Sequence, residues 1–176
     1  MRKLIVSSFA TANGVIGSPM TWAAPYFDGK AAAKSLAVLQ DCDAMLMGRH
    51  TYEYFSPAWP AATDPYAARV NQITKYVFSS SLASVEWSNS ILVATDAVAA
   101  VTELKKQDGG DLMIYGYGRL AQSLVEQDLV DELSIGFFPT LGGEGTPLFR
   151  PGKDKTLHLA SVEQSDTGVV TLTYTL

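Results

Sequence analysis

The sequence predicts an α/β fold: a three-layer sandwich with a mixed, mostly parallel central sheet and an antiparallel C-terminal hairpin. Three observations carry that expectation. Apolar, β-branched runs alternate with helix-period segments from residue 3 to residue 126, and strands joined by helices pair in parallel through right-handed crossovers. The last two runs, 155–163 and 168–175, alternate in period two and meet around Thr167-Gly168, the pattern of a hairpin. The 176 residues are 47% hydrophobic and 18% charged, a balance that suits one globular domain with its own core. No repeat, low-complexity tract or linker divides the chain, so residues 1–176 are expected to form a single domain.

The elements follow in order. Residues 3–9 form an apolar run without a breaker and predict a first strand. Residues 10–25, rich in Gly, Pro, Ser and Thr, predict a long connection, and such loops are usually functional. Ala32, Leu36 and Leu39 are spaced for a helix over 28–40. The run 43–47 predicts a buried strand, 51–55 a short helix, and the three prolines in 56–65 a loop. A helix over 66–73 and strands over 75–79 and 91–94 come next. Asp96 is placed to cap a helix over 97–107, which Gly109 and Gly110 end. A strand over 111–115 turns through Gly116-Tyr117-Gly118 into a helix over 119–126. A strand over 129–137 and a flexible turn at Gly142, Gly143 and Gly145 precede the hairpin.

Charge and composition exclude several classes. The net charge of −5 and the pI of about 4.9 argue against a nucleic-acid surface. Cys42 stands alone, so neither a disulfide nor a cysteine metal cluster is expected, and a small buried residue is the simplest reading of it. His50 and His158 are isolated, and no zinc-type set accompanies them. The start lacks a signal-peptide run, and no segment reaches membrane-spanning length. A cytoplasmic protein that avoids membranes is expected.

Chemistry concentrates at three strand ends. Gly48, Arg49, His50 and Thr51 follow the second strand, where a helix should begin. Free N–H groups at a helix start favour an anion, glycine lets it approach, and Arg and Thr add donors. Ser79, Ser80 and Ser81 follow the third strand, and Gly116, Tyr117, Gly118 and Arg119 make another strand-to-helix turn. Open α/β sheets bind ligands beyond the carboxyl ends of their strands, so together the three suit a ligand with several phosphates. Each has a plainer reading: Thr51 as a helix cap with Arg49 in solvent, a polar serine loop, and a tight turn. The glycine turn departs from GxGxxG, since Leu120 and Ala121 follow Arg119.

These residues resemble the dihydrofolate reductase superfamily, in particular the branch containing the reductase domain of bacterial riboflavin biosynthesis. The resemblance runs through NGVIG at 13–17 before Trp22, MGRHTYE at 47–53, KYVFSSSL at 75–82, IYGYGRLAQSL at 114–124, LVDEL at 129–133 and FPTLGGEGTPLF at 138–149. It implies a dihydrofolate reductase-like fold and an NADPH-dependent reductase. By similarity, Gly48, Arg49, His50 and Thr51 bind cofactor phosphates. Ser79 and Ser80 lie by the adenosine ribose and its 2′-phosphate. Gly116, Tyr117, Gly118, Arg119 and Leu120 line the pyrophosphate, and Ala10, Ile16 and Gly17 lie near the nicotinamide. No acidic ribose-binding residue marks an NAD site.

The substrate side carries less signal. Folate reductases place one acid at the start of the helix after the tryptophan, and Asp28 lies one position later than that pattern. On a helix one position turns a side chain by about 100°. Asp28 is therefore a candidate proton donor or a helix cap. Trp22, Tyr26 and Phe27 are candidates for a wall against a flat heterocycle, or for packing of the loop on the core. The riboflavin-type reductase acts on 5-amino-6-(5-phosphoribosylamino)uracil, whose phosphate asks for cations; Arg69, Lys75 and Arg150 are the candidates. The expected activity is reduction of a small heterocyclic or carbonyl compound. Alternatives are a dihydrofolate or pterin reductase, a nucleotide-binding dimer without turnover, and a flavin oxidoreductase. The resemblance and the charge-poor 139–149 segment also imply a homodimer.

Overall fold

The computed structural model describes residues 1–176. Its strands are β1 (Leu4–Thr11), β2 (Val15–Ile16), β3 (Cys42–Gly48), β4 (Thr74–Phe78), β5 (Ser90–Val93), β6 (Asp111–Tyr115), β7 (Glu132–Phe138), β8 (Thr146–Pro147), β9 (His158–Gln164) and β10 (Val170–Thr175). Its helices are α1 (Gly29–Gln40), α2 (Arg49–Phe55), α3 (Pro65–Gln72), α4 (Ala97–Lys106) and α5 (Arg119–Glu126). Eight strands form one sheet in the order β5-β4-β3-β6-β1-β7-β10-β9. Pairing is parallel from β5 to β7, and β10 and β9 add antiparallel to that edge.

Helices on both faces require strands that are apolar on both faces, and the sequence supplies them. Leu4 and Val6 of β1, Ala44 and Leu46 of β3, and Leu112 and Ile114 of β6 enter one core, closed by Val101 and Leu104 of α4 and Leu124 and Val125 of α5. Ile5, Met45, Met47 and Met113 enter the other, closed by Leu39 of α1, Tyr52 of α2 and Val70 of α3. The result is the expected three-layer sandwich. Asp28, Asp64 and Asp96 cap α1, α3 and α4 by accepting backbone N–H bonds from the first turn.

The structure departs from the sequence reading in its connections. The 10–25 segment holds β2 and two 3₁₀ turns, at Pro19–Thr21 and Ala24–Tyr26, and 56–65 holds a third at Trp59–Ala61. α2 begins at Arg49, so Thr51 sits inside its first turn and Gly48 takes the capping position. β7 begins at Glu132 rather than at 129, because the preceding residues tie the amino edge of the sheet together. The Leu129 N–H bonds back to Leu124 at 3.0 Å. The Asp131 carboxylate accepts the Leu4 N–H at 2.7 Å and pairs with the Lys105 ammonium, which also donates to the Leu129 carbonyl. Lys105 is buried, so Asp131→Ala would leave a cation without its counter-charge. A loss of about 2–3 kcal/mol in unfolding free energy is expected by urea denaturation. A loss under about 0.5 kcal/mol, the scatter of ordinary surface changes, would contradict this.

Candidate active site

The sheet order brings the three sequence clusters together. β4, β3 and β6 are neighbours and run in parallel, so Ser79–Ser81, Gly48–Thr51 and Gly116–Arg119 lie side by side along one carboxyl edge. The glycines there differ in what they require. Gly116 has φ +86°, a conformation that favours glycine. Gly48 (φ −80°) and Gly118 (φ −86°) are extended backbone that any residue adopts, and a Cβ on either would meet nothing within 4 Å. Neither backbone strain nor internal packing asks for glycine at these two positions. Both face open space at helix starts, as a site for close approach of phosphate to backbone would.

The side chains around this edge vary in availability. Arg49 is exposed, with Glu53 only at 3.8 Å, and Arg119 is exposed without an ion-pair partner. α2 has just seven residues, so anion contact there rests on the Arg49 guanidinium and the half-buried Thr51 more than on a helix dipole. His50 points to solvent, 3.8 Å from Glu53. The Ser79 hydroxyl accepts the Ser81 and Leu82 N–H groups at 3.1 and 3.0 Å and so shapes its own turn; Ser80 is exposed. The Tyr117 ring is buried against Phe149, and burial pushes its hydroxyl above the ordinary range. That leaves the Tyr117 backbone, whose N–H already bonds the Ser8 hydroxyl at 3.2 Å. Leu120 is half-buried against the α4/α5 core. Ala10 is wholly buried in that core and presents no surface to a ligand, while Ile16 is half-buried and Gly17 exposed.

The segment carrying Ile16 and Gly17 is stapled down. β2 pairs antiparallel with β8, and the Asn13 side chain grips Gly142 twice, its amide donating to the carbonyl and its oxygen accepting the N–H, both at 2.9 Å. Gly142 and Gly145 are therefore packing positions rather than a free turn: a Cβ on either would lie 2.9 or 2.5 Å from the Val15 side chain. Gly142→Ala is expected to push the two segments apart. The Leu148 amide, bonded to Gly14 at 2.7 Å, should then exchange hydrogen at least tenfold faster, about 1.4 kcal/mol of lost protection. Unchanged exchange would mean the staple does not hold the segment.

On the substrate side, Trp22, Tyr26 and Phe27 all pack around Phe138, with ring centroids 5.3–6.4 Å away, and Phe9 joins them. Phe9 and Phe138 were not singled out in the sequence; they sit on adjacent strands more than a hundred residues apart, so no local pattern reveals the pair. Asp28 caps α1 through one oxygen, accepting the Ala31 N–H at 2.8 Å, and its other oxygen has no partner. Two of the three candidate substrate cations are already engaged. Arg69 donates to the Leu39 and Cys42 carbonyls at the end of α1. Lys75 is wholly buried beneath Trp87 and donates to three backbone carbonyls. Arg150 follows Phe149, which packs on Tyr117 on the opposite face of the sheet. Cys42 is buried, and burial beside Asp111 and Asp41 pushes its thiol up to about 11, which leaves it inert near neutrality.

The architecture, with an eight-stranded mostly parallel sheet, helices on both faces and a terminal antiparallel pair, is of the dihydrofolate reductase-like class. The chain belongs to the family of the RibD C-terminal domain, whose sequence profile matches residues 2–171. The Bacillus subtilis (strain 168) protein YyaP, itself uncharacterized, is 29% identical over 142 residues, covering 77% of this chain and 75% of its own. A provisionally assigned riboflavin biosynthesis protein from Shewanella sp. PV-4 superposes with a TM-score of 0.78 at 23% identity, over 98% of both chains. The Thermotoga maritima diaminohydroxyphosphoribosylaminopyrimidine deaminase/5-amino-6-(5-phosphoribosylamino)uracil reductase superposes with a TM-score of 0.69 at 14% identity. That match covers 99% of this chain and 56% of the longer one. At these identities the two solved structures establish the fold alone. No helix is long and apolar enough to cross a membrane.

Proposed function

We propose that this protein is a cytoplasmic, NADPH-dependent reductase of a small heterocyclic or carbonyl compound. The observation that carries the reading is the pair Gly48 and Gly118: two glycines that neither backbone nor packing requires, at neighbouring strand ends. Each is followed by an exposed arginine. Family membership supports it as well. In this reading Arg49, Thr51, Ser79 and Ser80 hold the adenosine phosphate end. The Gly118 backbone and Arg119 hold the pyrophosphate, while Gly116 and Tyr117, whose N–H groups bond the Ser7 carbonyl and the Ser8 hydroxyl, shape the turn that presents them. Ile16 and Gly17 border the nicotinamide. The cofactor, when bound, supplies the hydride. The chain's own part is to orient both ligands and exclude water, with the stapled 12–17 segment as one wall.

Asp28 passes a proton from solvent to the substrate through the carboxyl oxygen its cap leaves free. Trp22, Tyr26 and Phe27 wall the substrate. The functional unit is a homodimer, with Leu159 and Val162 exposed on β9 and half-buried Leu172 and Tyr174 beside them on β10 as an apolar sheet face for a second copy. A monomeric mass by light scattering would overturn that part. The activity is tested by NADPH oxidation across a panel of pterins, aminopyrimidines, quinones and aldehydes. Turnover of at least one compound, lost in Asp28→Asn, is the expected result; cofactor binding without turnover of any would contradict it.

A further inference from the structure

The face of the central sheet beneath α1 is not sealed. On the α4/α5 side, Val6, Ser8, Ala10, Ile114, Leu133 and Ile135 are all buried, as a covered face should be. On the α1 side the strand register lines up a row of hydroxyl-bearing residues instead. Tyr115 of β6 pairs with Ser7 of β1, Ser7 with Ser134 of β7, Ser134 with Thr173 of β10, and Thr173 with Ser161 of β9. All five are half-buried rather than enclosed. Ser134 and Thr173 bond to each other at 3.2 Å and the Tyr115 hydroxyl bonds that of Tyr66; the Ser7 and Ser161 hydroxyls have no partner in the protein. With strands about 4.8 Å apart, five of them give a row roughly 19 Å long. A polar, partly solvated stripe across the interior of a sheet contributes little to folding. It is suited to bond a ligand carrying several hydroxyl or amide groups. Phe9 follows Ser7 by two residues along β1, on the same face, and the outer end of the row lies on the hairpin.

Charge around the row limits what that ligand carries. Lys30 and Lys34 are the cations on α1, and they pair with Asp166 at 2.5 Å and with Glu163. Asp28 and Glu132 add carboxylates on the same side without a matching cation, and Arg69 is engaged at the far end of α1. Arg49 belongs to the neighbouring helix start and to the proposed cofactor contacts. A phosphate on the substrate would therefore enter a region where four carboxylates face two ammonium groups already paired.

We propose that the hydroxyl row Ser7–Ser134–Thr173–Ser161, closed at its inner end by Tyr115, is the floor of the substrate site. It takes an uncharged, polyhydroxylated heterocycle and discriminates against the phosphorylated form of the same compound. The proposal rests on the reductase reading only in treating this second ligand as the substrate. It differs from the phosphoribosyl compound in the name of the Thermotoga maritima enzyme.

Isothermal titration with ribosylaminouracil and with its 5′-phosphate, each with and without NADPH, tests it. The unphosphorylated compound should bind at least tenfold more tightly. Ser7→Ala and Ser134→Ala should each weaken it by about three- to tenfold, the range of one neutral hydrogen bond, with NADPH affinity unchanged. Glu163→Lys should raise affinity for the phosphate alone. Equal or tighter binding of the phosphate by the natural protein, no binding of either compound, or no effect of both serine substitutions would overturn the proposal. Binding of the nucleoside without any binding of NADPH would leave the row standing and defeat the reductase reading instead.

Discussion

Arg49→Ala is expected to weaken NADPH about 10- to 50-fold while changing NADH less than threefold. The guanidinium stands exposed at the start of α2, beside Gly48, whose partner on β4 is Phe78, the residue before Ser79. Its one internal partner, Glu53, is 3.8 Å away and forms at most a weak surface pair, so little must be broken to engage a phosphate. A hydrogen bond to a charged group contributes about 1.5–3 kcal/mol, and each 1.4 kcal/mol is tenfold in affinity. The lower part of that range applies because the side chain is 43% exposed and screened by solvent. Only NADPH carries the 2′-phosphate, so the loss should be selective and should shrink as salt is raised. Fluorescence titration of both cofactors against the variant reads it directly. Equal loss for both would place Arg49 on the pyrophosphate or outside the site.

The largest expected stability effect is at Lys75. Its ammonium, fully buried, donates to the Val70, Asn71 and Ile73 carbonyls at 2.9, 3.1 and 2.8 Å and lies 4.6 Å from the Trp87 ring centroid. These are the carbonyls at the end of α3, so the lysine acts as a buried C-terminal cap at the negative end of that helix. Lys75→Met keeps the apolar stem but leaves three acceptors without this donor; a loss of about 3–5 kcal/mol is expected by denaturant unfolding. Burial also pulls the ammonium down from 10.5 to about 8. The unfolded chain then binds this proton more tightly than the native one. The penalty is fully present below pH 8 and disappears as pH rises toward 10.5. The stability gap between the natural protein and Lys75→Met should therefore widen over that interval. The thiol of Cys42 and the hydroxyl of Tyr66, pushed up to about 11 and about 12, act in the opposite direction but equally in both proteins. A variant within 1 kcal/mol of the natural protein, or a gap that narrows with pH, would contradict this account.

Much of the fold was legible because it rests on short-range signals. The apolar runs of β1, β3, β4 and β6 are mostly buried, and Asp28 and Asp96 cap their helices locally, whereas the Asp64 cap of α3 lay unread in the proline-rich 56–65 loop. The gathering of the three clusters on one edge was legible for a related reason: they follow strands, and parallel pairing aligns strand ends. What escaped depends on contacts between distant segments. Lys75 and Arg69 read as available cations, since nothing in the sequence shows that helix-end carbonyls surround them. Gly142 and Gly145 read as a flexible turn, since their constraint is Val15, well over a hundred residues away. Ala10 read as a nicotinamide contact, yet its side lies in the α4/α5 core. The hydroxyl row is the clearest case. Ser7 and Ser134 are polar positions within largely apolar strands, and only the register of five strands makes them part of a row.

The β4-β3-β6 edge is expected to be a nicotinamide-dinucleotide site that reads the 2′-phosphate. Titration of the purified protein with NADPH and with NADH, followed by nicotinamide fluorescence and energy transfer from its three tryptophans, tests this most directly. Saturable NADPH binding at least tenfold tighter than NADH is the predicted result. Binding of neither, or equal binding of both, would contradict it.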